Sequence, residues 1–413
     1  MNVARPAYPG DPMTDRDRLL ARASRVLPRW TSTEDPASCA VFTRSQGAYV
    51  WDTNGKRFLD HLAADGAILI GHADPRVNGA AAGAAALIDA TATGLQVGEV
   101  DLGELIAGSV PSAQKVVLLT TSSEAIGLAL RLARRATGRT GILGFHRSLR
   151  GWVSAQGALG PPDRTVVHPV DALDEAAVRT AFTEHGPDMS AVLVEVLEPG
   201  SSRATGPGLL RLLRQQATRH GAVLVFDEVR TGFRHHLGGY QAVVGVVPDL
   251  TVLGGALGNG WTIAALAGRT DLMDDVAAAG RPLGDQRATP YAIAAARRTL
   301  DLLADGAVAH LDRLGRRLRK GLDEAIAGTG APAVVRGLGS AWLVDWPLAP
   351  GAAARGAVAD GTGPAQAFRR AMLDEGVLLA PGPLSHNRLC AAFSDDDVDD
   401  TVEAARRAFA AVV

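Results

Sequence analysis

Short apolar runs alternate with amphipathic stretches through the middle of the chain. The runs at 141–145, 191–196 and 222–226 are almost entirely apolar, as expected for strands that are buried on both faces. The stretches between them, Asp171–His185 and Gly206–His220, carry apolar residues at helical spacing. Strands that alternate with helices favour a parallel sheet covered by helices on both faces, so this pattern predicts an α/β protein.

Two of the predicted strands end at residues that suit a binding site. Asp227 and Glu228 come directly after the run 222–226, and a second run, Leu250–Leu253, ends at a turn of two glycines. In open α/β sheets, ligands bind beyond the carboxyl ends of the strands. These residues therefore mark a candidate site, although two core strands with a polar edge fit the same pattern.

Another candidate site lies at the start of a helix. The predicted strand Val116–Leu119 is followed by Thr121 and, three residues later, by Glu124, a capping-box pattern ahead of a strongly periodic helix. The N–H groups at a helix N-terminus favour bound anions. The segment 121–123 is therefore a candidate anion site, and an ordinary capped helix is the alternative.

The two ends of the chain show a different pattern. Asp15–Val26 predicts a helix, and two alternating runs around Thr53–Gly55 predict a hairpin because Asn-Gly is a strong turn signal. The C-terminal part combines helices at 307–328 and 394–409 with a helix–strand segment at 371–381. We predict a flexible arm (1–13), the N-terminal part of a small domain (14–66), a large domain (67–305) and a C-terminal small α+β domain (306–413).

Composition narrows the classes of function. A chain of 413 residues exceeds the usual size of one domain, and its net charge of −2 gives no electrostatic argument for binding nucleic acid or an anionic membrane. No apolar run reaches the roughly 18 residues of a membrane span, and the N-terminus lacks the apolar core of a signal peptide. The two cysteines are isolated, without metal-ligand spacing. We expect a cytoplasmic protein that binds a small molecule and no metal.

Several segments, in the same order along the chain, resemble class III (ω-type) aminotransferases, and within that family the glutamate-1-semialdehyde 2,1-aminomutase branch. They are the segments 47–61 and 71–73, the run FDEVRTGFR from Phe226, the run VPDLTVLGG from Val247, and the C-terminal segments 371–381 and 394–409. The resemblance implies the PLP-dependent transferase fold type I. That fold has a large, doubly wound, mostly parallel sheet domain and a smaller α+β domain formed by both termini. The resemblance also implies a homodimer with its site at the interface.

The family's contacts to pyridoxal phosphate (PLP) can be placed on this chain by resemblance. The lysine that carries PLP as a Schiff base aligns with Gly255, so this lysine is missing here. The aspartate that bonds the pyridinium nitrogen matches Asp227, and a strand-end glutamate matches Glu195. The phosphate-binding turn matches Thr121, Ser122 and Ser123. The whole chain has only three lysines, and all are remote in sequence from Gly255: Lys56, Lys115 and Lys320.

Other positions depart from the family's pattern. Leu149 and Arg150 replace an aromatic–histidine pair whose aromatic ring stacks on PLP in the family, and Asp285 replaces a threonine that donates to its phosphate. Several charged groups in one cleft fit a rebuilt site, whereas each of them alone also fits a solvated surface residue. From this set we predict catalytic roles for Asp65, Arg150, Asp285 and His386, and substrate contacts for Arg388, Leu149 and Gly255.

Three functions are open at this point. The first is an enzyme of specialised metabolism that acts on an amino-acid-like or carboxylate-bearing small molecule without a covalent PLP–lysine bond, with Arg150 or Arg388 holding the carboxylate. The second is a transaminase- or aminomutase-type enzyme that binds PLP, or its amine form pyridoxamine phosphate (PMP), non-covalently. The third is a non-catalytic partner subunit of an active aminotransferase.

Overall fold

The structure of the protein is a computed structural model. It describes residues 16–27, 41–90, 94–145, 166–170, 175–197, 205–276, 287–346, 363–381 and 386–412. The strands of these segments form three sheets. In chain order they are β1 (Phe42–Gln46), β2 (Tyr49–Asp52), β3 (Arg57–Asp60), β4 (Lys115–Leu119), β5 (Gly141–Phe145), β6 (Val166–Val170), β7 (Met189–Glu195), β8 (Val223–Asp227), β9 (Leu250–Leu253), β10 (Ala264–Gly268), β11 (Val334–Leu338), β12 (Ala341–Asp345), β13 (Val377–Leu378) and β14 (Asn387–Arg388).

The α-helices of the described segments lie between and after these strands. They are α1 (Arg16–Val26), α2 (Pro75–Ala85), α3 (Val97–Ser109), α4 (Ser122–Thr137), α5 (Glu175–His185), α6 (Pro207–His220), α7 (Gly239–Val244), α8 (Thr270–Met273), α9 (Pro290–Leu302), α10 (Val308–Thr329), α11 (Pro364–Asp374) and α12 (Asp395–Ala410). None of the described helices is long and apolar enough to cross a bilayer.

The central sheet of the described chain has seven strands in the order β4-β10-β9-β8-β7-β5-β6. All neighbours are parallel except β10, which runs antiparallel to both β4 and β9. This confirms the predicted α/β class and the mostly parallel sheet. The sequence pattern did not predict β10, because its AALAG sequence is poor in the β-branched and aromatic residues that signal a strand.

Helices cover both faces of this sheet. Along β8, Val223 and Val225 pack into the core cluster that contains the buried face of α4, whereas Leu224 and Phe226 pack into the cluster that contains α5 and α6. Strands with apolar residues on both faces are the pattern expected of a doubly covered sheet. The observed strand also includes Asp227 as its last residue, one position beyond the predicted end.

The carboxyl ends of the central strands meet at one edge of the sheet. Asp227 at the end of β8 pairs in register with Glu195 on β7 and with Val252 on β9. Because β10 is antiparallel, its first residue, Ala264, lies beside Leu119 at the end of β4. The segment that starts α4 therefore leaves the sheet at the same edge as Asp227.

Both ends of the chain contribute to the smaller sheets. The hairpin predicted around residues 53–55 is confirmed: β2 and β3 are antiparallel, and the Asp52 carboxylate accepts hydrogen bonds from the Asn54 and Lys56 N–H groups. Near the C-terminus, β13 pairs in parallel with β3, and β14 extends the β11–β12 hairpin. The exact division into domains at 14–66, 67–305 and 306–413 stays a prediction.

Candidate active site

Asp227 is a buried carboxylate at the sheet edge. Its side chain accepts a hydrogen bond from the Val229 N–H at 3.0 Å, and within the described residues it forms no ion pair. Burial raises the pKa of Asp227 to about 6, although the Val229 N–H and the charge of Arg230 act in the opposite direction. Arg230, whose charge acts on Asp227, forms its ion pairs with Glu195 and Asp65.

The neighbouring Glu228 differs from Asp227 because several groups donate hydrogen bonds to its carboxylate. Its buried carboxylate accepts hydrogen bonds from the N–H groups of Tyr240 and Gln241, from the Gln241 side chain and from the Thr231 hydroxyl. These contacts fasten the loop after β8 to the start of α7. The hydrogen-bonding capacity of the Glu228 carboxylate is thus taken up within the protein, whereas the Asp227 carboxylate can still accept a hydrogen bond from a cationic partner.

The predicted capping box at the start of α4 is confirmed. The Thr121 hydroxyl accepts from the Glu124 N–H at 3.3 Å, and the Glu124 carboxylate accepts from the Thr121 N–H at 2.7 Å. The hydroxyl of Ser122 lies against the turn after β9: a Cβ atom added to Gly254 would come within 2.2 Å of it. The first turn of α4 and the Gly254 turn are therefore in close contact at the sheet edge.

Gly255, where the resemblance predicts that the family's lysine is missing, has a left-handed backbone. Gly255 has a φ of +52°, and an added Cβ would lie 2.5 Å from the Val229 carbonyl oxygen. Side chains larger than hydrogen are therefore strained at this position in this conformation. A short 3₁₀ helix, Gly255–Gly258, follows directly.

The three lysines of the chain have other partners. Lys115 pairs with Gly268 at the end of the sheet opposite to Asp227, and its ammonium group bonds Asp274. The Lys56 ammonium donates to backbone carbonyls at the end of α11, at 3.2 and 3.3 Å. Lys320 lies on α10, 3.8 Å from Glu324.

Four charged residues form a chain of contacts above the sheet edge. The Arg230 guanidinium donates to Glu195 at 3.0 Å, and its other terminal nitrogen lies 3.9 Å from the Asp65 carboxylate. Asp65 also accepts a hydrogen bond from Arg388 Nη1 at 2.7 Å. The sequence predicted Asp65, Glu195 and Arg388 as site residues, and the structure brings them together. The sequence did not predict Arg230, which links the large sheet to Asp65.

A second arginine that the sequence analysis did not predict, the buried Arg234, lies beside these four residues. Arg234 donates to Ser340 Oγ at 2.9 Å and to the carbonyl oxygens of Leu389, at 2.9 Å, and Gly66, at 2.8 Å. Burial, together with the charge of Arg388, lowers the pKa of Arg234 to about 9. Its three partners are all neutral, so Arg234 is a buried cation without a carboxylate partner among the described residues.

Asp65 lies in a left-handed turn. Ala63, Ala64, Asp65 and Gly66 all have positive φ, at 49°, 51°, 54° and 88°. Each non-glycine residue in this region is strained by roughly 1–2 kcal/mol. The segment that follows the turn is fixed by Asn259, whose Oδ1 accepts from the N–H groups of residues 69 and 70 at 2.8 Å each.

The remaining predicted residues divide into two groups. His386 is buried, and its carbonyl oxygen accepts from Arg388 Nη1 at 3.3 Å, so it lies next to the charged chain. Its predicted catalytic role stays a prediction. Leu149, Arg150 and Asp285 lie outside the described residues. Within the described segments, no cluster of histidine, cysteine and acidic residues is arranged to hold a metal ion.

Replacing Asp227 by Asn tests the unpaired state of this carboxylate. Because its folded pKa, about 6, is above the usual value of an aspartate, the native state binds a proton that the unfolded state releases between pH 4 and 6. Stability is therefore lost as the pH rises through this window. We expect D227N to raise the free energy of unfolding by about 2–3 kcal/mol at pH 8 and to change it little at pH 4, in urea denaturation.

Asp249 is the matched control, because it is also buried but pairs with Arg214 at 2.8 Å and with Arg269 at 2.9 Å. We expect D249N to lower the free energy of unfolding by about 1–2 kcal/mol at pH 8. If both substitutions destabilise the protein equally, then Asp227 has a partner in solution and its assignment as an unpaired carboxylate is wrong.

Comparison with known proteins supports the predicted family. The sequence matches the Aminotransferase class-III family over residues 31–165 and 160–409. It is 36% identical to the glutamate-1-semialdehyde 2,1-aminomutase of Thermomicrobium roseum, over 90% of this chain and 91% of that protein. The fold is similar to an ω-transaminase from Sphaerobacter thermophilus, with a TM-score of 0.83, 27% identity and coverage of 97% and 98% of the two chains.

A second solved structure with a similar fold contains the cofactor. The FumI protein of Sphingopyxis sp. MTA144, in a form that contains PLP, has a TM-score of 0.83 and 27% identity, with 96% of each chain covered. These similarities extend over nearly the whole chain and include both the central sheet and the smaller sheets. The protein belongs to the class III aminotransferase family and has the PLP-dependent transferase fold type I.

Proposed function

We propose that this protein is an aminotransferase- or aminomutase-type enzyme that holds PLP or PMP without a covalent bond to lysine. Its substrate is an amino-acid-like or carboxylate-bearing small molecule of specialised metabolism. The observation that carries the proposal is Asp227, a buried carboxylate without an ion-pair partner at the sheet edge. Such a group suits the protonated ring nitrogen of a pyridoxal cofactor, since a buried charge is stabilised by an opposite charge.

The residues of this chain fit the two ends of the cofactor. Asp227 would accept a hydrogen bond from the ring N–H, and the first turn of α4, Ser122 and Ser123, would receive the phosphate. When bound, the cofactor supplies an electron sink next to the amino-bearing carbon of the substrate. The lysine link does not fit, because Gly255 is left-handed and close to the Val229 carbonyl. The three lysines of the chain have partners elsewhere, which supports non-covalent binding.

The missing lysine also removes the family's proton-transfer group, so another residue has to move the proton. Asp65 is already held between Arg230 and Arg388. Of the predicted acid–base residues in the described segments, His386 is therefore the better candidate, since it is buried directly beside Arg388. A different proton-transfer group is a reason to expect a reaction other than that of the aminomutase relatives, which favours a role in specialised metabolism.

We further propose that the active form is a homodimer. Between residues 87 and 100 several apolar side chains are exposed, with Leu87 at 87%, Val97 at 78% and Leu95 at 72%. An exposed apolar segment of this kind is typical of an interface. A second copy of the chain, which carries the same surface, is the partner we expect.

Cofactor binding is tested by absorbance. We expect the purified protein, after addition of PLP or PMP, to retain the cofactor through dialysis and to release it intact on denaturation. D227A should weaken binding by about 10- to 100-fold, the value of a charge-assisted hydrogen bond. The exposed Asp399, which pairs with Arg317 on the surface, provides the control variant D399N. If the wild-type protein retains neither form, the proposal fails and the cofactor-free enzyme becomes the better hypothesis.

Introducing a lysine at residue 255 tests whether the site still accepts a covalent link. We expect Gly255→Lys to be less stable than the wild type and to form no PLP adduct after borohydride reduction, because its Cβ would be 2.5 Å from the Val229 oxygen. Gly79→Lys is the control: Gly79 is exposed on α2 with nothing within 4 Å of an added Cβ, so this variant measures non-specific surface labelling. A stoichiometric adduct in Gly255→Lys alone, seen by mass spectrometry, would contradict the expectation.

The homodimer is tested by size-exclusion chromatography with light scattering. We expect twice the chain mass for the wild type and a monomer for the double variant L87D/V97D, since two buried charges oppose association. V334D is the control, because Val334 is also exposed but lies on β11, away from this segment. A wild-type monomer, or a heteromer with an active aminotransferase when the two are mixed, would instead favour the partner-subunit hypothesis.

A further inference from the structure

Asn259 joins two segments that are far apart in sequence. Its side-chain oxygen, Oδ1, accepts hydrogen bonds from the N–H groups of Leu69 and Ile70 at 2.8 Å each, and from that of Gly71 at 3.4 Å. Its side-chain nitrogen, Nδ2, donates to the carbonyl oxygen of Gly71 at 3.0 Å. The residue is buried. One amide group therefore holds the backbone stretch 69–71 against the turn that follows β9.

The backbone of Asn259 explains why this residue is an asparagine. Its φ is +47°, in the left-handed region that most side chains avoid. Asparagine, aspartate and glycine adopt this region more readily than other residues. Glycine would fit the backbone but has no amide, and aspartate would keep the acceptor but lose the donor to Gly71. Of these three residue types, only asparagine provides both the backbone and the hydrogen bonds.

The turn after β9 lies against both groups that are proposed to hold the cofactor. Ser122 Oγ is next to Gly254, where an added Cβ would be 2.2 Å from it. The Val229 carbonyl oxygen is next to Gly255, where an added Cβ would be 2.5 Å from it, and the Val229 N–H donates to Asp227. A displacement of this turn would therefore also displace the serine hydroxyl and the peptide that bonds the aspartate.

The stretch 69–71 is also bonded to the C-terminal part of the chain. The Leu69 carbonyl accepts from the Ala391 N–H at 2.7 Å, which holds the C-terminal segment 387–391. The stretch follows the left-handed turn 63–66 after only two residues. The C-terminal segment and the left-handed turn carry charged residues that lie above the sheet edge. The amide is therefore located where the turn after β9, the left-handed turn and the C-terminal segment meet.

Removal of the amide would leave buried polar groups unsatisfied. Among the described residues, Asn259 is the only acceptor for the N–H groups of Leu69 and Ile70. Both residues are buried, and a buried N–H group without an acceptor is unfavourable. Without the amide, the stretch 69–71 would therefore shift toward another acceptor, and the segments bonded to it would shift as well.

We propose that Asn259 is a positioning residue for the candidate active site. Its amide sets the position of the turn after β9 relative to the stretch 69–71, and through that stretch relative to the left-handed turn and the C-terminal segment. The inference rests on the proposed function in one respect, that a pyridoxal cofactor binds between Ser122 and Asp227. Loss of the amide loosens the three segments together and weakens the cofactor site, although the residues proposed to hold the cofactor are unchanged.

The first test is hydrogen exchange of the full-length protein without cofactor, measured by mass spectrometry. The variant N259G keeps the left-handed backbone but removes the amide. We expect exchange to be faster by about tenfold or more in peptides that contain residues 69–71, and also in those that contain Val229 and Ala391, because the three segments loosen together. If exchange rises only at 69–71, then Asn259 anchors a single stretch and the inference is overturned.

Two further variants make the result specific. N259D keeps an acceptor for the N–H groups of Leu69 and Ile70, so exchange there should match the wild type. S190A is the control for lost stability, because the buried Ser190 donates to the Gly141 carbonyl at 2.7 Å near the amino end of β7. We expect S190A to lower the urea midpoint but to leave exchange at 69–71 unchanged. Faster exchange there in S190A would assign the effect to lost stability, and the inference would fail.

The second test is the affinity for PMP, measured by equilibrium dialysis with absorbance. We expect N259G to bind PMP more weakly by about tenfold or more, since a site loses affinity when its supporting residues are displaced, and S190A to bind it as the wild type does. Unchanged PMP affinity in N259G would overturn the inference, because Asn259 would then support the fold alone. If the wild type binds no PMP, the proposed function fails, and the exchange measurement, which needs no ligand, decides the role of Asn259.

Discussion

The parallel pairing of β7, β8 and β9 is the constraint on which the candidate site depends. It sets Glu195, Asp227 and the turn after β9 at one edge of the sheet. Alternate side chains of β8 fill the cores on the two faces. A slip by one residue would exchange these faces and move Asp227 away from the edge, so the packing of the core also fixes the position of the site.

Three buried carboxylates near this sheet differ in their ion-pair and hydrogen-bond partners. Asp249 pairs with two arginines, and Glu228 accepts four hydrogen bonds from the loop that it fastens. Asp227 has one backbone donor and no cation among the described residues. Burial of a carboxylate without a counter-charge is costly unless a ligand supplies the charge. This difference, and not the mere presence of an acidic residue, distinguishes a candidate site from scaffold.

The sequence predicted the fold well because its signals are local. The apolar runs gave β5 and β9 with their observed bounds, and the Thr121–Glu124 pattern gave the cap of α4. The site was predicted only in part. Asp65, Arg230 and Arg388 are far apart in sequence and meet through tertiary structure, so no local pattern shows that they pair. The left-handed turn at 63–66 could not be predicted either, because two of its residues are alanines, which do not favour positive φ.

Gly255 shows why the sequence and the backbone have to be considered together. The resemblance predicts a missing lysine, which by itself would be compatible with a site that one substitution could restore. The left-handed backbone and the nearby Val229 carbonyl make that restoration unfavourable. If a cofactor is held here, its affinity has to come from charge and hydrogen bonds at its two ends, namely at Asp227 and at α4. Proton transfer then needs a group outside this pair, and His386, beside Arg388, is the candidate that the described residues offer.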